Sequence, residues 1–220
     1  SEPGEKNDWE DAIVKDLIPT IDAQFRTIAR REGRAVNGLS MGGYGALALG
    51  LRHPELFGSI ASSSGALDFA RSLGRRLKVD PQAKVPGRNP STKINPAIGL
   101  EAFDSQEERT PRGRIFTTVE QCEAHDPFAL VAKIHPKDLP HIYVDCGTEG
   151  PFIGLNQEFA RLLLDRRTSF TFAQSPGEHR SAYWTRSIVE STAVQYRVLE
   201  RGTAADVAAR QTQGGRQGER

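Results

Sequence analysis

The pentapeptide Gly38-Leu39-Ser40-Met41-Gly42 constrains this chain more than any other stretch. It follows "RAVNGL" (34–39), a short apolar run ending in glycine that reads as a buried strand. It opens "GGYGALALGLR" (42–52), a small-residue segment that reads as a helix stopping at His53-Pro54. Strand, G-x-S-x-G turn and helix in that order form the setting in which a serine hydroxyl is presented above the C-terminal edge of a sheet. Such a turn is tight and strained, so Gly38 and Gly42 are both expected to be glycine for lack of room. The Met41 N–H then heads the new helix, where unpaired donors and the helix dipole favour an oxyanion.

The rest of the chain agrees with a layered α/β architecture. Residues 9–31 carry Ile13, Val14, Leu17, Ile18, Ile21, Phe25 and Ile28 at three- and four-residue steps, which predicts an amphipathic helix kinked or split at Pro19. "FGSIASSSG" (57–65), "HIYVDCG" (141–147) and "SFTFAQ" (169–174) read as strands. The second of these lacks polar alternation, as a parallel strand covered on both faces does. Helices are predicted over 153–166 and 180–200. Strands alternating with helices imply a mostly parallel sheet flanked by helices. A single domain over 1–201 is expected, with a long irregular, lid-like insertion over about 68–126 and a polar, disordered tail over 202–220.

Composition narrows the function classes. A net charge of +1 over 220 residues gives no reason to expect nucleic acid or an anionic membrane as partner. No run of about 18 apolar residues exists to form a spanning helix. Two cysteines, Cys122 and Cys146, are too few for a disulfide framework and read as free thiols, with Cys146 in a strand.

A serine nucleophile needs a base, and five histidines are available. His53 stands at a helix end, His135 and His141 flank prolines, and His125 lies in "AHDPF", a helix start with Asp126 as its cap. His179 stands apart. "SPGEHRSAYW" falls directly after a strand and before the last helix, at the catalytic edge of an α/β sheet, and late enough for a Ser-acid-His order.

"VNGLSMGGYGALALGLRHPELFGSIASSSG", "YVDCGTE" followed by "PF", and "PGEHRSAYW" together resemble the esterase family of α/β-hydrolases that includes feruloyl esterases, S-formylglutathione hydrolase and the antigen 85 proteins. The resemblance covers most of residues 9–200. It implies the α/β-hydrolase fold, Ser40 as nucleophile, His179 as base and the Met41 N–H as half of an oxyanion hole. It implies a small-molecule or carbohydrate ester as substrate, and neither a metal nor an organic cofactor.

Two features depart from that pattern. Several strands precede the elbow in the family, and one of their loops supplies the second oxyanion donor. Only 39 residues precede Ser40 here, so those strands are expected to be missing, and the open strand edges invite pairing with a second copy. The family also carries an aspartate in G-x-x-D-x-F, where this chain reads Gly147-Thr148-Glu149-Gly150-Pro151-Phe152. Glu149 is the first candidate for the acid, a site without an acid the second, and Asp145 the third. Three functions are compatible with these residues: a serine esterase, a catalytically degenerate carbohydrate- or protein-binding relative, and an acyltransferase using the same serine.

Overall fold

The computed structural model describes residues 9–82 and 116–199. Four strands, β1 (Ala35–Leu39), β2 (Ser59–Ser63), β3 (His141–Gly147) and β4 (Phe170–Ser175), form one sheet in the order β1-β2-β3-β4. All three pairings are parallel. The helices are α1 (Trp9–Asp11), α2 (Ile18–Gln24), α3 (Met41–Arg52), α4 (Phe69–Val79), α5 (Val119–Glu123), α6 (Pro127–Lys133), α7 (Ile153–Asp165) and α8 (Ser181–Leu199).

The register sorts the two faces of the sheet. Val36, Ile60, Ile142 and Phe170 lie abreast. Together with Val144 they pack against Leu47 and Leu51 of α3, Phe128 and Val131 of α6, and Phe159 and Leu163 of α7. This apolar core follows from side chains of period two meeting helices of period 3.6. The other face is polar and carries α8. Asn37 Nδ2 donates to Ser191 Oγ (2.9 Å) and Gln195 Nε2 donates to the Val36 carbonyl (3.0 Å). Every such bond matters, because an unpaired polar group buried there would cost about 1–3 kcal/mol.

Three expectations are corrected. The strand at β1 is half-buried rather than buried, because among the described residues it pairs only with β2 and so forms a sheet edge. The first helix ends at Gln24, well short of residue 31. Between α1 and α2 it widens into a π-helical stretch, Ala12–Leu17. Pro19 explains this, since it has no N–H for the Lys15 carbonyl and its ring would crowd that group. The segment read as an irregular insertion contains α4 and α5 at its ends. Ala70, Leu73 and Leu77 of α4 pack on Cys122 of α5 and on Phe116. Residues 83–115, and the tail over 202–220, lie outside the described residues.

Candidate active site

The elbow forms where β1 hands over to α3. Ser40 adopts φ 54°, ψ −120°, a conformation that an L side chain rarely takes and that costs about 1–3 kcal/mol. Its backbone is held on several sides. The Ser40 N–H donates to the Ser63 carbonyl (2.9 Å), and the Ser40 carbonyl accepts from Tyr44 and Ala66 (both 3.2 Å). Gly38 is required for lack of room: a Cβ there would stand 2.0 Å from the Gly42 carbonyl oxygen. Gly42 is not, because a Cβ at that position meets nothing within 4 Å. The second tight position is instead Gly43, whose Cβ would lie 2.6 Å from Ser62 Oγ on β2.

His179 arrives from the loop after β4. Ser40 Oγ and His179 Nε2 are 2.9 Å apart, across 139 residues of sequence. Two backbone contacts fix the loop: the Thr148 N–H donates to the Ser175 carbonyl (3.0 Å) and the Glu149 N–H to the Gly177 carbonyl (3.1 Å). Gly147 permits this approach, since a Cβ there would lie 2.2 Å from the Gly177 oxygen. The imidazole is 5% exposed and packs edge to face with Phe152 (4.9 Å between ring centroids, 75°) and Trp184 (4.8 Å, 87°). Burial lowers its pKa from the ordinary 6.5 by disfavouring the imidazolium. At neutral pH the ring is therefore uncharged, with Nε2 able to accept the serine proton.

Glu149, the first candidate for the acid, is not brought to the imidazole. The Glu149 side chain is exposed, and Oε1 accepts from the neighbouring Thr148 hydroxyl (3.1 Å). Asp145 is buried and turned towards α8. Its Oδ1 accepts from Ser63 Oγ (2.7 Å), whose single proton is thereby committed, so Ser187 donates to Ser63 in turn (3.0 Å). Burial raises the Asp145 pKa, against hydroxyl hydrogen bonds that lower it. His179 Nδ1 is buried with no hydrogen-bond partner among the described residues. Neither carboxylate is brought to it. The physical reason lies in the 147–150 turn: the Glu149 N–H faces the His179 loop, which sends its side chain to solvent, while position 150 faces His179. A Cβ at Gly150 would stand 4.0 Å from His179 Cβ.

The other histidines play other parts. His53 Nε2 contacts Glu10 (2.6 Å), which also binds Arg52 Nε (2.8 Å) and ties α1 to the end of α3. His125 precedes Asp126, which caps α6 through the Phe128 N–H (3.0 Å) as its sequence context predicts. Both cysteines are buried free thiols, pushed by burial up to about 11. Among the described residues no cluster of His, Cys, Asp and Glu is placed to hold a metal ion. A cavity of about 420 Å³ opens beside Met41 and Gly42, lined largely by apolar groups that include Ile13, Tyr44, Phe69 and Phe116. Phe152 and Trp184 were not singled out by sequence reasoning. Trp184 lies within the "PGEHRSAYW" stretch and Phe152 directly after "CGTEGP", so proximity to the two site loops is the signal that marks them.

Comparison with known proteins shows what the chain is similar to. The Esterase family model, described as "Putative esterase", matches residues 1–193. An esterase of Mycobacterium tuberculosis strain H37Rv is 44% identical over 66 residues, covering 30% of this chain and 14% of that protein. An acetyl esterase of Caldicellulosiruptor saccharolyticus is 24% identical over 185 residues, covering 81% of this chain and 60% of that one. A ferulic acid esterase structure superposes with a TM-score of 0.60 at 19% identity, over 87% of this chain and 61% of that one. The chain thus spans less than two thirds of each of these proteins, and it shares their α/β-hydrolase fold. Carrying the family's sequence pattern over nearly its whole length, the chain belongs to the Esterase family.

Proposed function

We propose that the protein is a serine carboxylic-ester hydrolase acting on a carbohydrate-linked or small acyl ester. The observation that carries this reading is the 2.9 Å contact between Ser40 Oγ, on its strained elbow, and the uncharged, buried His179 Nε2. Ser40 Oγ attacks the ester carbonyl while its proton passes to Nε2. Negative charge then develops on the carbonyl oxygen, within reach of the Met41 N–H at the start of α3. The tetrahedral species collapses, the ester C–O bond breaks, and the imidazolium returns the proton to the departing alcohol. Water repeats the sequence on the acyl-enzyme, with Nε2 taking its proton, and releases the acid. The apolar cavity lined by Met41 and Gly42, the two residues after the nucleophile, is the proposed seat of the acyl group. Relatives named acetyl esterase and ferulic acid esterase support small or aromatic acyl groups as the substrate class.

The test is turnover of p-nitrophenyl acetate by the protein and by Ser40→Ala and His179→Ala. Loss of about 10³-fold or more in both variants is expected from removal of either member of such a pair. Equal rates in the protein and in Ser40→Ala would end the proposal.

A further inference from the structure

We infer that His179 is aligned for catalysis by an aromatic clamp, Phe152 and Trp184, in place of the carboxylate that the family pattern carries at position 150. The inference rests on the reading of Ser40 and His179 given above. An imidazole that serves as a base needs its ring fixed, so that Nε2 keeps facing the serine through proton uptake and return. A carboxylate on Nδ1 does this by a hydrogen bond and also stabilises the imidazolium. Here Nδ1 is buried and unpartnered among the described residues, and the ring is instead packed by two others. Both ring pairs fall in the centroid range that favours edge-to-face packing. They come from opposite sides of the sequence: Phe152 follows the β3 turn, and Trp184 lies in the first turns of α8. Contacts of this kind restrict rotation of the ring but accept no proton from Nδ1.

Among the described residues no charged side chain substitutes for the acid. Glu178 pairs with Arg180, Glu149 accepts from Thr148, Arg186 donates to the Pro176 carbonyl (3.1 Å), and Asp145 accepts from Ser63. Position 150 is the opening in this arrangement. Gly150 is buried, and it is not among the described residues with positive φ. A Cβ there meets the Gly147 oxygen at 3.2 Å, a contact that needs only a few tenths of an ångström of adjustment, and lies 4.0 Å from His179 Cβ. An aspartate at 150 is therefore sterically admissible next to the imidazole.

The experiment is a coupling measurement. Trp184→Leu, Phe152→Leu and the conservative Trp184→Phe are made with Gly150 and with Gly150→Asp, and kcat and KM for p-nitrophenyl acetate are measured on variants whose thermal midpoints stay within a few degrees. With Gly150, each leucine variant is expected to lose about two- to tenfold in kcat at little-changed KM, from the energy of one ring pair, while Trp184→Phe retains most of the rate. Gly150→Asp alone is expected to raise kcat and to shift the acidic limb of its pH profile upward. In that background the leucine substitutions are expected to cost less than about twofold. Equal losses in both backgrounds, or no loss with Gly150, would overturn the clamp. An unchanged kcat and pH profile in Gly150→Asp would overturn the claim that the clamp stands in for a carboxylate at that position. Folded variants that all fail to hydrolyse ester, with a Ser40 inert to a fluorophosphonate, would overturn the esterase reading itself, and the clamp with it.

Discussion

Gly38 and Gly42 are equivalent in the motif and opposite in the structure, and replacing each by alanine separates the two. A methyl at 38 would stand 2.0 Å from the Gly42 oxygen and 2.3 Å from its carbonyl carbon. Ordinary contact begins at 3.4 Å, so the elbow must open by the difference, about 1.4 Å. These atoms, and the Gly43 nitrogen at 2.9 Å, are all backbone, so no side-chain rotation relieves them. Overpacking of this kind costs about 1–3 kcal/mol, which in a chain of this size lowers the thermal midpoint by roughly 2–12 °C. The same shift carries Ser40 Oγ away from His179, and a displacement of about 1 Å costs on the order of 10²-fold in rate. A methyl at 42 meets nothing within 4 Å and sits in the first turn of α3, where alanine is favoured over glycine by up to about 1 kcal/mol. Gly42→Ala is expected to keep or slightly raise the midpoint. Differential scanning calorimetry of the two variants, with ester turnover alongside, decides the matter. Equal destabilisation by both would refute the assignment of the tight approach to Gly38 rather than Gly42.

Three further outcomes follow from the site. Glu149→Gln is expected to change kcat by less than about threefold, whereas loss of a working triad acid costs roughly 10⁴; steady-state kinetics separates these. Asp145→Asn is likewise expected to spare kcat, and to leave the urea midpoint unchanged or raised, because it removes a desolvated charge whose protonation burial already favours; a collapse of kcat would make Asp145 the acid. The pH profile of kcat/KM should rise through an acidic limb centred below 6.5, since burial lowers the His179 pKa and only the neutral ring accepts the serine proton. A limb centred above 6.5 would mean that a carboxylate faces the ring.

The sequence made the strand–elbow–helix unit and the late histidine legible because both depend on local signals. Glycine spacing, a run of small residues after Ser40, and a loop placed between a strand and a helix each have one physical reading. β3 was legible to the residue, as a stretch without polar alternation is buried on both faces. Helix α4 was hidden by its four basic residues, although Ala70, Leu73 and Leu77 carry the helical step. Helix α8 misleads any reading by hydrophobicity. Tyr183, Ser187, Ser191 and Gln195 are buried at four-residue steps, while Ile188, Val189 and Tyr196 are exposed. The sheet face beneath α8 is itself polar, so the inward side of the helix is the side that hydrogen-bonds. The fate of Glu149 was not legible because which neighbour in the 147–150 turn faces His179 depends on the backbone bonds between two loops 30 residues apart. The same holds for the aromatic pair, which no local pattern joins to His179.

The pairing of Ser40 with His179 is tested most directly by mass spectrometry after reaction with a fluorophosphonate. A single adduct on the peptide bearing Ser40, formed rapidly in the protein and slowed by at least about 10²-fold in His179→Ala, is the expected result. An adduct on another serine, or labelling of Ser40 at the same rate without the imidazole, would contradict it.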